Sequence, residues 1–357
     1  MQNYIINILK YYQSYNFEHN LFDIEKIDID FILYHRLDML YYDLLTKFSL
    51  DQLDQLEIRK RKIKLMNKKY IEIANQLSIE LKNKNIPHVF LKGIYCILDI
   101  YKKYWHRYFG DIDMLVDKKH IDIVEEVLTK MGYIFAISAN NCESLEPASR
   151  SDILFQKTFT HEIHNMSRHE DSGWVSNVDV NFLFSWNGLD YSNYVSISEF
   201  NDHIINCNGI NVFDNVVNML HMCCHLYNEA IYFALNMRFL GGDPKEIKLN
   251  RVFDIAILAE RLTEDDYYEL FNLAEKYNFT EKVQFSITLV NYLLKLSIAN
   301  NFSIIKKGRI DYDQYITKEK EIATWPISIY ERVFDINKKQ KVVKKLFPET
   351  NMLKPFS

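Results

Sequence analysis

Glycine and proline are scarce in this chain of 357 residues, which has only 9 glycines and 6 prolines. Few positions therefore favour tight turns or interrupt helices, and the sequence predicts a helix-rich protein. Long apolar runs are also missing. None reaches the roughly 20 residues that a bilayer-spanning helix needs, so we expect no membrane segment. The N-terminal stretch has neither a basic leader nor a small-residue cleavage site, and we expect no secretion signal.

The chain has only five cysteines, an odd number whose spacing forms no disulfide framework. This predicts a reducing, cytoplasmic location.

Positive charge is not in excess either, since the formal net charge is −5. Because non-specific nucleic-acid binding usually requires a basic excess, we favour a small molecule, peptide or protein over a nucleic acid as partner. The basic run at 59–69 is interpreted as the solvated face of a helix.

Hydrophobic periodicity predicts three parts in the chain. Residues 1–60 are expected to form short helices, 61–213 an α/β core, and 214–357 a helical domain that stays helical to its end. Residues 153–166 alternate in places as a strand does. The core segments that carry the argument are a helix at 61–84, a strand at 86–91, a helix at 94–104, a strand at 111–116, a helix at 118–131 and a strand at 176–184.

Two acidic strands are the chemically informative part of the core. Alternate side chains of a strand share a face, so Asp111 and Asp113 are predicted to lie together, opposite an apolar face. In the strand at 176–184, Asp179 alternates with apolar residues in the same way. If the two strands are neighbours, Asp179 joins the first two carboxylates.

Adjacent carboxylates repel each other unless a cation lies between them. Oxygen ligands suit Mg²⁺, with Mn²⁺ as an alternative, and three carboxylates can hold two metals that activate a hydroxyl and orient a triphosphate. A D-x-D pair alone does not settle the kind of site. Such pairs occur on acidic edge strands that discourage aggregation. They also occur in glycosyltransferases, which would predict Mn²⁺ and sugar-nucleotide binding.

The segment IPHVFLKGIYCILDIY…RYFGDIDMLVDKKHIDIVEEVLTKMGY resembles a bacterial family of uncharacterised nucleotidyltransferases in the polymerase-β-type superfamily. That family pairs a Lys-Gly turn with an acidic strand, a helix ending in Gly-Tyr and a later V-D-L-H-W-type strand, which is Val178–Phe182 here. The resemblance spans about 60–260. It implies an α+β fold, in which a small mixed sheet is flanked by helices, with a helical N-terminal segment and a helical C-terminal domain.

The resemblance also implies roles for individual residues. Asp111 and Asp113 match the two metal ligands of the superfamily, and Asp179 matches the third, catalytic carboxylate. Gly93 matches the glycine that lets the turn backbone approach a phosphate. Lys92 and Arg107 are expected to contact a phosphate group. The implied activity is Mg²⁺-dependent transfer of a nucleoside monophosphate from a triphosphate such as ATP to an acceptor hydroxyl.

One departure from the family pattern leaves a second hypothesis open. The usual turn has a second small residue, but here Ile94 follows Gly93. The alternative hypothesis that this departure motivates is a catalytically degenerate member that binds a nucleotide or a partner. A second departure from the family pattern follows the third carboxylate. The histidine that is usual there is replaced by Asn181 or by Phe182, depending on the alignment.

Histidines form two groups that could bind zinc. The first contains His161, His164 and His169. The second contains His221 and His225, which are four residues apart on a predicted helix, beside Cys224. No third or fourth ligand is evident for the helical pair. We interpret the first group as polar residues near a cleft and the second as buried helix residues.

Overall fold

The computed structural model describes residues 2–13, 28–47, 53–138, 145–171, 173–186, 194–232, 234, 247–300, 302, 310–317 and 319–347. Its contacts divide the chain into two compact units, Lys60–His221 and Met1–Arg59 with Met222–Ser357. The division at 60 and 213 that the sequence suggested stays a prediction.

The secondary structure is mainly helical. The helices are α1 Gln2–Gln13, α2 Ile29–Tyr34, α3 Asp38–Lys47, α4 Leu53–Asn83, α5 Lys92–Tyr95, α6 Ile121–Lys130, α7 Arg150–Phe159, α8 Asn215–Ile231, α9 Leu249–Ala259, α10 Glu264–Lys276, α11 Thr280–Leu294, α12 Ile329–Phe334 and α13 Ile336–Leu346. The strands are β1 His88–Phe90, β2 Ile112–Val116, β3 Ile134–Ser138, β4 Leu145–Pro147, β5 Met166–His169, β6 Val175–Asn181, β7 Ile204–Cys207, β8 Ile210–Phe213, β9 Gln314–Ile316 and β10 Ile322–Thr324.

A six-stranded mixed sheet forms the centre of the unit Lys60–His221. Its strand order is β1-β2-β6-β5-β3-β4. β2 pairs with β1 antiparallel and with β6 parallel, so the two acidic strands are neighbours. The sheet and its helices confirm the α+β class. Among the described residues, no helix is both long and apolar enough to cross a bilayer.

The long helix α4 follows its apolar periodicity. Tyr70, Ala74, Leu77 and Leu81 recur at three- and four-residue spacing, and all four are fully buried. The helix begins at Leu53, earlier than predicted, and it ends shortly before Asn85, whose φ is +55°. A left-handed residue directly after the last turn stops the helix and redirects the chain into β1.

The strand-like alternation within 153–166 does not correspond to a strand over most of its length. α7 covers Arg150–Phe159, and β5 begins only at Met166. The Ser149 hydroxyl caps α7 by accepting from the Asp152 backbone N–H at 3.1 Å. This helix has no buried residue, and Leu154 is 62% exposed. The helix therefore buries no apolar stripe in the core, unlike most amphipathic helices.

The expectation of helices alone after residue 214 is wrong. β9 and β10 form an antiparallel hairpin in the helical unit. Tyr315 and Trp325 anchor it, with ring centroids 5.3 Å apart. Helical periodicity runs through the whole stretch 250–276, yet it forms two helices, because a capping box between Thr263 and Asp266 starts α10. The Gly-Gly-Asp-Pro cluster at 241–244, whose composition predicts a loop, lies outside the described residues.

Candidate functional site

Asp113 and Asp179 face each other across two parallel strands. They are direct partners in the register between β2 and β6. Residues paired in this way project to the same side of the sheet. Ile112 and Val178, the preceding pair, are fully buried on the other side. We call the side that carries Asp113 and Asp179 the carboxylate face.

The carboxylate of Asp113 is crowded by other charges. Burial raises its pKa, the Lys92 ammonium opposes that rise, and the carboxylates of Asp111 and Glu162 raise the pKa further. Asp111, which directly precedes β2, is therefore close enough to act on Asp113 electrostatically. The carboxylate face thus concentrates negative charge around a side chain that is only 9% exposed.

Lys92 supplies the counter-charge at this position. Its Nζ lies 2.9 Å from Oδ1 of Asp113. The preceding residue, Leu91, donates its backbone N–H to the Asp113 carbonyl at 3.0 Å, which ties the turn to β2. Lys92 itself has a φ of +41°. The phosphate contact expected for Lys92 stays a prediction, while the structure places its ammonium beside the candidate metal ligand.

Gly93 is required by packing. A β-carbon at this position would lie 2.5 Å from the Cγ and Cδ2 atoms of Phe109. Phe109 is 4% exposed and belongs to the loop that leads into Asp111. The glycine therefore lets the Lys-Gly turn pack directly against that loop. Ile94, the residue that departs from the family pattern, is fully buried.

Helix α4 holds the loop before Asp111 by three hydrogen bonds. The Asn67 side-chain amide donates to the carbonyl of Tyr104 at 2.5 Å and to that of Arg107 at 2.9 Å. The Tyr70 hydroxyl donates to the Gly110 carbonyl at 2.7 Å. Burial, and then the Asp111 carboxylate, raise the pKa of Tyr70, so its hydroxyl stays protonated and able to donate.

Arg107 is buried within this loop. Its guanidinium donates to the carbonyl of Tyr108, and its side chain is 5% exposed. The contact with a phosphate that the resemblance implies for Arg107 stays a prediction.

Glu162 is a fourth carboxylate that sequence patterns did not reveal. It forms an isolated antiparallel bridge with Asn181, the last residue of β6. Bridge partners share a face, so Glu162 lies on the carboxylate face with Asp179. No motif or spacing in the sequence signals this placement, because it depends on a single backbone bridge outside the regular strands.

The histidines of the two candidate zinc groups each contact different neighbours and do not cluster. His161 stacks on Trp186, with ring centroids 5.7 Å apart, and its Nε2 lies 3.6 Å from Glu162. His164 is buried next to Asn165, and the third histidine of that group is exposed at the end of β5. On α8, His221 packs against an aromatic ring, whereas His225 lies 3.4 Å from Glu229.

His221 lies close to the carboxylate face. Burial lowers its pKa well below the usual range, and the charges of Lys92 and His161 lower it further. The imidazole is therefore neutral at physiological pH. The interpretation of a buried helix histidine agrees with this environment.

The donor chemistry of the carboxylate face fits a hard divalent cation. Asp111, Asp113 and Asp179 offer only oxygen atoms, which Mg²⁺ and Mn²⁺ prefer. Burial raises the pKa of Asp113 and the Asp111 carboxylate adds to this rise, so a bound cation would favour the charged form of Asp113. Within the part of the chain that is described, no group of three or more His, Cys, Asp or Glu side chains is already arranged to hold a metal.

Comparison with models of known families assigns the chain to one family. The family of uncharacterised nucleotidyltransferases matches residues 29–295, which is more than half of the sequence. The chain therefore belongs to this family, as the resemblance indicated. No curated protein matches it. A solved structure that it resembles is an antigenic nucleotidyltransferase-like protein from Paracoccidioides brasiliensis, at 13% identity and a TM-score of 0.27, covering 60% of this chain and 92% of that one.

Proposed function

We propose that this protein transfers a nucleoside monophosphate from a nucleoside triphosphate to an acceptor hydroxyl, with a divalent metal. The observation that carries the proposal is the direct pairing of Asp113 with Asp179, with Asp111 one residue before β2. Membership of the nucleotidyltransferase family supports the class of reaction. It also favours nucleotidyl transfer over the glycosyltransferase alternative.

Asp111, Asp113 and Asp179 are the residues that would hold Mg²⁺, or Mn²⁺ in its place. When bound, the metal would neutralise charge on the triphosphate and lower the pKa of the attacking hydroxyl. The chain itself contributes position and charge. Lys92 places a positive group beside Asp113, where it can neutralise a phosphate oxygen. Gly93 and the loop held by α4 keep Asp111 in place next to β2.

The acceptor is proposed to be a small molecule, a peptide or a protein. The net charge of −5 supports this choice, because a nucleic-acid acceptor would favour a basic protein. ATP is the first triphosphate to test.

Pyrophosphate release tests the reaction. The full chain is incubated with each nucleoside triphosphate, Mg²⁺ or Mn²⁺, and pools of small-molecule, peptide and protein acceptors. We expect metal-dependent release that needs an acceptor and is lost in Asp113→Asn. The exposed Asp122 offers a matched control, and Asp122→Asn should keep full activity. Equal release by the Asp113 variant and wild type would contradict the proposal.

A catalytically degenerate protein is the second candidate. Two observations favour it: Ile94 is fully buried where a small residue is usual, and Lys92 already neutralises Asp113. This candidate predicts that nucleotides raise the melting temperature in the presence of Mg²⁺, while no acceptor pool gives pyrophosphate. Sugar nucleotides with Mn²⁺ belong in the same thermal-shift panel, since stabilisation by them alone would favour a glycosyltransferase.

A further inference from the structure

A cavity in the helical unit has a lining unlike that of the carboxylate face. It lies among the end of α8, the helix α11 and the β9–β10 hairpin. Its volume is about 290 Å³, close to the lower end of the range of roughly 300–1,000 Å³ for small-molecule sites. Besides isoleucines and glutamines, its lining contains buried aromatic side chains, which we call the floor, and exposed polar side chains, which we call the rim.

The aromatic floor consists of Tyr227, Phe285 and Tyr315. All three side chains are buried, at 7%, 3% and 6% exposure. The rings of Tyr227 and Phe285 are nearly perpendicular, at 87°, with centroids 5.2 Å apart. Aromatic rings carry a negative electrostatic face that attracts cations. The floor therefore offers apolar contact area together with a mild preference for positive charge.

The rim includes three exposed polar residues, Gln314 and the acidic Glu281 and Asp311. The Tyr227 hydroxyl donates to Oε1 of Glu281 at 3.0 Å. Burial and the Glu281 charge raise the pKa of Tyr227, so this phenol stays a donor and orients a charged carboxylate. Oδ1 of Asp311 accepts the backbone N–H of Asp313 at 3.0 Å, which fixes the second carboxylate.

Basic side chains are missing from the lining, as far as the described residues show. Lys282 follows Glu281 in α11 and does not line the cavity. Its ammonium lies 2.9 Å from Oδ1 of Asn228 and 5.7 Å from the centroid of the Tyr227 ring. Burial lowers the pKa of Lys282 to about 8. Arg332 acts on Asp311 electrostatically, yet its guanidinium donates to Asp313 and to the Tyr312 carbonyl. Among the described lining residues, the two charged side chains, Glu281 and Asp311, are both acidic.

We propose that this cavity binds a small organic cation, a ligand with an ammonium group on an apolar body. The apolar body would cover Tyr227, Phe285 and Tyr315, and the ammonium group would lie at the rim between Glu281 and Asp311. Organic anions are disfavoured by the same carboxylates. The proposal does not depend on nucleotidyl transfer, because binding here needs no nucleotide or metal.

Isothermal titration on the full chain at pH 7 tests this site. The probes are phenethylammonium, the neutral 2-phenylethanol and the anionic phenylacetate, which share one apolar body and differ in charge. We expect saturable one-site binding of the ammonium, at least tenfold tighter than either of the other two. Equal affinity for the three probes, or no saturable binding of the ammonium, would overturn the proposal.

Two exposed rim variants locate the binding. Glu281→Gln should weaken phenethylammonium at least fivefold, and Gln314→Lys, which adds a positive charge to the lining, should do the same. Glu275→Gln is the matched control, because Glu275 is exposed on α10 and does not line the cavity. Unchanged affinity in both rim variants, or an equal loss in the control, would show that the cation binds elsewhere and would refute the assignment.

Discussion

The α-carbon of Gly93 and the ring of Phe109 are so close that a single added methyl group would overlap the ring, at 2.5 Å. This contact joins the Lys-Gly turn to the loop that carries Asp111. The added methyl group would also clash with Cβ of Phe109, so a rotation of the ring alone cannot relieve the overlap and the backbone would have to move. The position of the acidic strand thus depends on a residue with no side chain.

Gly93→Ala is expected to destabilise the unit Lys60–His221. Overpacking of a buried contact costs about 1–3 kcal/mol, and urea unfolding would measure it. In a Phe109→Ala background the same substitution should cost less, because the clashing ring is gone. A Gly93→Ala protein as stable as wild type would show that the turn relaxes easily.

Lys92→Met should weaken binding of the metal–triphosphate complex at least tenfold. The substitution removes the ammonium, 2.9 Å from Asp113, that we propose neutralises an oxygen of the triphosphate. Isothermal titration with Mg²⁺ and ATP measures the effect. Lys130→Met removes a fully exposed lysine of α6 and serves as control. The same affinity in both variants would mean that Lys92 has no part in nucleotide binding.

The helical unit should lose stability in mild acid through His35. Its Nε2 donates to the Val333 carbonyl at 2.9 Å and its Nδ1 accepts the Leu249 N–H at 3.1 Å, so only the neutral ring satisfies both bonds. Burial lowers the pKa of His35 well below its usual range, and the charges of Lys339 and Lys248 add to this.

The direction in which stability changes with pH follows from proton uptake by the unfolded chain. In the unfolded chain a histidine titrates near about 6.5. Below that pH the unfolded state binds a proton that folded His35 does not, so stability is complete above about pH 6.5 and falls as the pH decreases toward the folded pKa. The slope for one group reaches at most about 1.4 kcal/mol per pH unit. Urea unfolding at pH 7.5 and 5.5 would measure it, and His35→Gln should flatten the dependence. An unchanged slope in that variant would contradict the assignment.

Strand alternation predicted which side chains of each acidic strand share a face. The meeting of Asp113 and Asp179 was conditional on the two strands being neighbours, and the pairing of β2 with β6 supplies that condition. Glu162 could not be found in this way, since one bridge to Asn181 places it on that face. The need for Gly93 was expected from a phosphate contact, whereas the structure shows a packing reason in Phe109. Pair contacts between distant segments leave no periodic trace in a sequence.

The hairpin of β9 and β10 was missed for a related reason. Each strand has three residues, which is too short for alternation to be distinguished from helical spacing. What stabilises the hairpin is the packing of Tyr315 on Trp325, a tertiary contact. The same contact helps to form the cavity that we assign to an organic cation.

The most direct test of the account is the binding of Mg²⁺ with a nucleoside triphosphate to wild type and to Asp111→Asn, Asp113→Asn and Asp179→Asn. Isothermal titration of the full chain should show saturable, Mg²⁺-dependent binding in wild type and in the Asp122→Asn control. We predict at least a tenfold loss of affinity in each of the three variants. Unchanged affinity in all three would show that the carboxylate face is not the metal site.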